Sequence, residues 1–269
     1  MHSIRAAFHR ARRQGRKALI PFVMGGDPDV RTTGPLLLAL QEAGADLIEV
    51  GIPFSDPLAD GPTIQLASAR ALARGATPAR VLAAVASVRR QLHVPVVCLT
   101  YWNPVVQFGR TGIQENPRPF VRAAVSSGID GIVVPDLPVE EGAAFRRIAA
   151  QQGLDTIFFA APTSPPQRLR AVARASEGFI YYVSVAGTTG ARRALPASLI
   201  HGVRQLKLLT TKPVCVGFGI STPAQAARVA QVADGVIVGS ALIHAIGNAR
   251  GRAALHRAAA FVRRLRRAV

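Results

Sequence analysis

The chain has 269 residues, 49% of them apolar, which is enough for one large core but does not separate one barrel from two smaller domains. Gly, Pro, Asp or Arg interrupts every hydrophobic stretch before eighteen residues, and this excludes a membrane-spanning helix. The formal net charge of +18 is the footprint usually left by nucleic-acid binders, yet only Lys17, Lys207 and Lys212 are lysines, and the arginines are scattered through segments of helical period.

The first acidic residue is Asp27, so residues 1–17 are basic. Ile4, Phe8 and Ala11 share one stripe there, which predicts an N-terminal helix over residues 1–16; an organelle transit peptide is the competing reading. Eight short β-branched runs follow in order: ALIPFVM, DLIEVGI, VPVVCLT, GIVVPD, TIFFAA, FIYYVSV, PVCVGFG and GVIVG. Each precedes a segment long enough to return across a sheet, the mark of repeated βα units. Turn signals such as GDPDV, GATPAR and STPAQ open helices, while EAGAD, SSGID and QQGLD close them. Residues 103–117, with Pro104, Gly109 and Gly112, read as a loop carrying a short helix after the third strand.

In the last segment, residues 251–269, Leu255, Ala258, Val262 and Leu265 form an apolar stripe with Arg257, Arg263, Arg264 and Arg267 mostly off it, as on a solvated outer helix. No linker or composition break divides residues 1–269. Eight units in this length predict an α/β fold, a single-domain (β/α)₈ TIM barrel with an extra N-terminal helix across its closed end. Cys98 and Cys215 fall inside apolar strands, where cysteine is a small buried hydrophobe, and they fit a reducing cytoplasm.

In such a barrel the working residues stand at the carboxyl ends of the strands. Glu49 lies between Ile48 and Val50, within a strand that must be apolar on both faces, so its carboxyl either points into the barrel mouth or is desolvated at a cost of several kcal/mol. Burial raises a carboxyl pKa, as proton transfer near neutrality requires; a salt bridge to Arg is the bland alternative. Asp60 and Asp56 follow in a loop stiffened by Pro53, Pro57 and Pro62, and an ordinary turn or N-cap role competes for Asp56 in particular. Glycine-rich ends close the last three strands: VAGTTG, GFGIST and GSALI. A helix starting at Gly239 and Ser240 would aim its positive end at an anion, and barrels often hold phosphate after strands seven and eight.

A Schiff base needs a strand lysine, but Lys17 and Lys212 precede strands at the closed end and Lys207 falls in a helix. The six histidines show no pair at metal-ligand spacing. Cofactor-free acid/base chemistry is what these residues leave.

The segment GADLIEVGIPFSDPLADGPTIQ resembles the signature of tryptophan synthase α chains, and PFVMGGDP, YWNP, GIVVPDLPVEE, YYVSVAGTTG, VGFGIS and GVIVGSAL resemble further segments in the family's order. The resemblance implies a lyase of tryptophan biosynthesis that splits indole-3-glycerol phosphate into indole and glyceraldehyde 3-phosphate. It implies that Glu49 shuttles the proton, Asp60 holds the indole N–H and Tyr181 positions Glu49 or the substrate. Gly190, Phe218, Gly219, Gly239 and Ser240 would bind the phosphate, and Phe22, Ile64, Leu99, Tyr101 and Val133 would wall the indole pocket.

Pro53, Asp56, Asp136 and Pro138 match the family's loops toward a β chain, the partner in an αββα heterotetramer. The cofactor expected there, pyridoxal phosphate, belongs to that partner and none is expected in this chain. Ala186 and Thr188 depart from the more usual T-G-V-T-G form of the closing loop, which puts loop closure rather than chemistry in doubt. The competing functions are a free-standing indole-3-glycerol-phosphate lyase that releases indole, and a non-enzymatic barrel binding nucleic acid through its arginines.

Overall fold

The computed structural model describes residues 3–109, 115–183, 195–217 and 219–269. Nine strands appear in it: β1 (Ala18–Met24), β2 (Ile48–Gly51), β3 (Val96–Leu99), β4 (Gly131–Val133), β5 (Asp155–Ile157), β6 (Phe159–Ala160), β7 (Ile180–Val183), β8 (Val214–Gly217) and β9 (Gly235–Val238). Every pairing among them is parallel, in the order β5-β4-β3-β2-β1-β9-β8-β7-β6.

The two ends of that order are consecutive in the chain, so the sheet closes on itself at Phe158. Here the predicted TIFFAA strand divides: β5 pairs back to β4 and β6 forward to β7. The Phe158 N–H donates to Ser176 Oγ (3.2 Å) and its carbonyl accepts the Tyr181 N–H (3.2 Å), which keeps its backbone satisfied across the break. The architecture is the eight-unit α/β barrel expected from the strand count, with the fifth strand in two pieces.

The strands are short apolar runs because the barrel buries both of their faces; all residues of β1, β2, β3, β8 and β9 are buried. The N-terminal helix, Ile4–Arg13, buries Ile4, Ala7, Phe8 and Ala11. It plugs the end where strands begin: a Cβ on Gly131 would lie 2.8 Å from Ile4 Cδ1, and one on Gly235 3.3 Å from Phe8 Cε1. The helix Gly251–Arg266 buries Ala258, Val262 and Leu265 while Arg257, Arg263, Arg264 and Arg267 face solvent. The short helix expected after the third strand is Trp102–Gln107, and Cys98 and Cys215 are free and buried.

Carboxylates organise the closed end. Asp46, Asp130 and Asp234 each stand just before a strand and accept an N–H from the start of a neighbouring one: Leu19 (2.9 Å), Val96 (2.9 Å) and Val214 (3.0 Å). Each also meets a cation. Asp46 is shared by Arg16 and Arg266, Asp130 pairs with Arg89 (3.1 Å) and Asp234 with Lys207 (2.9 Å). Lys212 Nζ donates to the carbonyls of Ala173 and Arg174, both at 3.1 Å, at the end of the helix Pro166–Ala175. The three lysines thus lie away from the carboxyl ends of the strands.

Candidate active site

Glu49 is the second residue of β2, in register with Phe22 of β1 and Val97 of β3. It is 1% exposed, and neither carboxyl oxygen has a hydrogen-bond partner among the described residues. Such a group is better neutral than charged, and burial, followed by the nearby charge of Asp60, pushes its pKa up to about 8. The salt bridge to arginine entertained for this residue is absent among the described residues.

Two residues toward the mouth, Gly51 pairs with Leu99, and Leu99 with Val133. Leu99 and Val133 therefore form the next layer outward from Glu49, and both are buried. Gly51 is glycine for a steric reason. A Cβ there would lie 2.8 Å from Phe22 Cζ, and one on Gly239 would lie 3.2 Å from Phe22 Cδ1. One phenyl ring therefore fills the space between the end of β2 and the turn after β9.

Asp60 stands in the connection 52–61, which leads from β2 to the helix Pro62–Ala73. It is half-buried, and burial raises its pKa to about 6, against an opposing pull from the Tyr101 hydroxyl. The helix that follows holds the loop in place. Ser68 Oγ accepts the Phe54 N–H and donates to the Phe54 carbonyl, both at 2.8 Å, while Gln65 Nε2 donates to the Asp60 carbonyl at 3.0 Å. Ser68 sits on the buried stripe Ile64, Ala67, Ser68 and Ala71. A hydroxyl on an otherwise apolar stripe was the available signal for this clamp, and the sequence reading missed it.

Tyr181 reaches the same interior from β7. Its ring lies 4.7 Å from that of Phe159, and a Cβ on Gly217 would come within 2.8 Å of its hydroxyl. Burial raises its pKa, as do the charges of Glu49, Cys215 and Asp60, so the phenol stays protonated beside both acids. Tyr101 and Ile64, the other two residues expected at the pocket wall, are 3% and 9% exposed.

At the glycine corner, the helix Ser240–Ile246 starts after Gly239 with no side-chain cap and no acid in its first turn. Its leading N–H groups and positive dipole end suit an anion. Gly219 has φ +76° with nothing within 4 Å of a built Cβ, leaving room for a ligand to approach the backbone. Gly190 and Phe218 lie outside the described residues, as do Ala186 and Thr188.

On the outer rim, Phe54, Asp56, Leu58, Ala59, Tyr101, Asn103 and Asp136 line a cavity of about 420 Å³. Asp56 and Asp136 are exposed, and Asp136 Oδ1 accepts the Trp102 N–H at 2.8 Å. Pro53 is buried and Pro138 half-buried, and neither lines that cavity. Asp56 and Asp136 are thus brought together at the rim; the two prolines flank it.

This geometry sits on a well-populated background of similarity. The family model described as tryptophan synthase alpha chain matches residues 8–269. The tryptophan synthase alpha chain of Geotalea uraniireducens (strain Rf4) is 48% identical over 269 residues, covering 100% of this chain and 98% of the relative. That of Gloeobacter violaceus is 51% identical over 264 residues, covering 98% and 92%. Among solved structures, tryptophan synthase subunit alpha from Legionella pneumophila str. Paris superposes with a TM-score of 0.88 at 36% identity, covering 100% of this chain and 98% of the other. A chain of the aminoacrylate-bound tryptophan synthase from M. tuberculosis gives 0.86 at 36% identity, covering 99% and 98%.

Proposed function

Since the chain belongs to the tryptophan synthase alpha chain family, we propose that it performs the family's lyase reaction by proton transfer from Glu49 and electrostatic support from Asp60. The observation that carries this reading is the Glu49 carboxyl, buried within the barrel with no hydrogen-bond partner among the described residues.

With a pKa near 8, Glu49 is mostly protonated at neutral pH, whereas Asp60, near 6, is mostly ionised. Two carboxyls held in opposite protonation states are what acid/base catalysis needs. Glu49 delivers its proton to C3 of the indole ring, and the ring nitrogen takes up positive charge. The Asp60 carboxylate, hydrogen-bonded to that N–H, stabilises the charge in a site of low dielectric. The Glu49 carboxylate then removes the proton from the adjacent glycerol hydroxyl. The carbon–carbon bond breaks, its electrons return to the ring, and indole and glyceraldehyde 3-phosphate leave with Glu49 protonated again.

Tyr181 remains a neutral donor beside both acids and orients Glu49 or the substrate. Phe22, Ile64, Leu99, Tyr101 and Val133 enclose the indole. Gly219, Gly239 and Ser240, with Gly190 and Phe218, receive the phosphate on backbone N–H groups. The rim at Pro53, Asp56, Asp136 and Pro138 faces a β chain that carries the pyridoxal phosphate, in an αββα assembly working in the cytoplasm.

The decisive assay is indole release from indole-3-glycerol phosphate, with and without a β chain. Cleavage strongly enhanced by the β chain is the expected result. Full activity alone points to a free-standing lyase, and no cleavage under either condition sinks the proposal. The kcat/KM profile should be bell-shaped, with limbs near pH 6 and 8 from Asp60 and Glu49.

A further inference from the structure

Asp60 is carried by a connection without regular secondary structure, so its carboxyl is only as well aimed as that connection is held. Ser68 and Gln65 fix it through Phe54 and through the Pro57 and Asp60 carbonyls, all on the side of the helix Pro62–Ala73. On the opposite side the Ile52 N–H donates to the Leu99 carbonyl at 2.9 Å as the connection leaves β2, and farther along the connection meets Tyr101, just after β3. Its ring stacks obliquely on Phe54, with centroids 5.4 Å apart. Its hydroxyl oxygen accepts the Ala59 N–H at 3.0 Å, one residue before Asp60.

A phenol that accepts one bond still has a proton to give. The nearest acid along the chain from that anchor is Asp60, whose pKa the Tyr101 hydroxyl lowers. We propose that Tyr101, beyond walling the indole pocket, is the positioning residue for Asp60: one hydroxyl ties the backbone before the acid and donates to its carboxylate. The ring is 3% exposed and its pKa is raised by burial and by Asp60, so it remains a donor throughout the working range of pH. Preorganising an ionised acid in this way matters most when charge develops opposite it, in the transition state rather than on binding.

The inference rests on the assignment of Asp60 to the indole N–H, and the test separates the two. Tyr101→Phe keeps the ring and the pocket wall and removes both hydroxyl bonds. Expected for this variant is a fall in kcat of about 10-fold with KM changed less than about twofold, the size of one hydrogen bond to a charged group. Because the hydroxyl holds the Asp60 pKa down, the acid limb of kcat/KM should move to higher pH. Carbon-13 NMR of the Asp60 carboxyl should show the same upward shift without any substrate. An unmoved Asp60 titration, or a rise in KM with kcat and the acid limb unchanged, overturns the inference. If the wild-type protein makes no indole, or Asp60→Asn keeps full turnover, the functional reading fails instead, while the NMR titration still decides whether Tyr101 governs Asp60.

Discussion

The two ends of the barrel treat the same side chain in opposite ways. At the closed end, Asp46, Asp130 and Asp234 each take a strand N–H and a cation, so their charge is matched and their geometry fixed. Inside the mouth, Glu49 has neither kind of partner among the described residues, and the Asp60 pKa is lowered by a phenol. Partnered carboxylates stabilise the fold; an unpartnered buried one opposes it and persists where chemistry requires it. Exchanging or deleting groups at the two ends should therefore produce opposite signatures in activity and stability.

The largest effect is expected from Glu49→Gln, which keeps the shape of the side chain and removes the titrating proton. Cleavage should fall by about 10³-fold or more, at the upper part of the range for a general acid–base. Stability should change in the other direction. The folded pKa of Glu49, about 8, lies above the 4.5 ordinary for a glutamate, so the wild-type fold is favoured by protonation. That advantage is complete below the unfolded pKa and is lost as pH rises toward 8, at a cost on the order of a few kcal/mol. The variant should then be more stable than wild type at pH 8 and nearly equal at pH 4; urea titrations at both values check this, and a variant less stable at pH 8 contradicts it.

Asp60→Asn comes next. Losing the anion opposite the indole N–H should lower kcat/KM by about 10²-fold, the scale of one electrostatic contact to a developing charge. Indole recognition should weaken as well. Steady-state kinetics with indole as a product inhibitor measures both, and near-normal turnover removes Asp60 from its role.

How far these contrasts could be read from sequence depends on how local their cause is. The strands were legible because burial on both faces writes continuous apolar runs, and Glu49 stood out as the charge inside one. The N-terminal plug was legible from Ile4, Phe8 and Ala11, which the structure buries together. The division of the fifth strand at Phe158 was not, because it arises where the ring closes, one half pairing back to β4 and the other forward to β7. Likewise Asp46, Asp130 and Asp234 look like ordinary turn residues until the preceding strand's N–H and an arginine or lysine from far along the chain arrive beside them. Arg266 lies 220 residues from the carboxylate it meets.

Asp46→Ala tests the closed end. It removes the acceptor of Leu19 N–H and leaves Arg16 and Arg266, 30% and 17% exposed, without their shared anion. A fully buried pair would cost more when broken, but partial solvation of the guanidinium groups brings the expected loss to about 2–3 kcal/mol. Turnover per folded molecule should stay at the wild-type value. Denaturant unfolding, with kinetics measured well below the transition, separates the two quantities; a drop in turnover without a drop in stability reverses the assignment of this end.

The smallest and most discriminating change is Ser68→Ala, since Ser68 belongs to neither class. Its hydroxyl is buried, as Asp46 and Asp130 are, and satisfied on both sides by Phe54, yet the backbone it holds leads to Asp60. Alanine fits the apolar stripe formed by Ile64, Ala67 and Ala71, so packing suffers little, while Phe54 loses a donor and an acceptor. The destabilisation should be about 1 kcal/mol, because Phe54 is half-buried and water can reach part of what the hydroxyl leaves. The loss in kcat should be about threefold to tenfold, more than so small a change in stability would cause by unfolding. Adding Tyr101→Phe to Ser68→Ala sharpens the point: if both hold the same loop, their effects on kcat should fall short of additive, whereas independent roles would multiply.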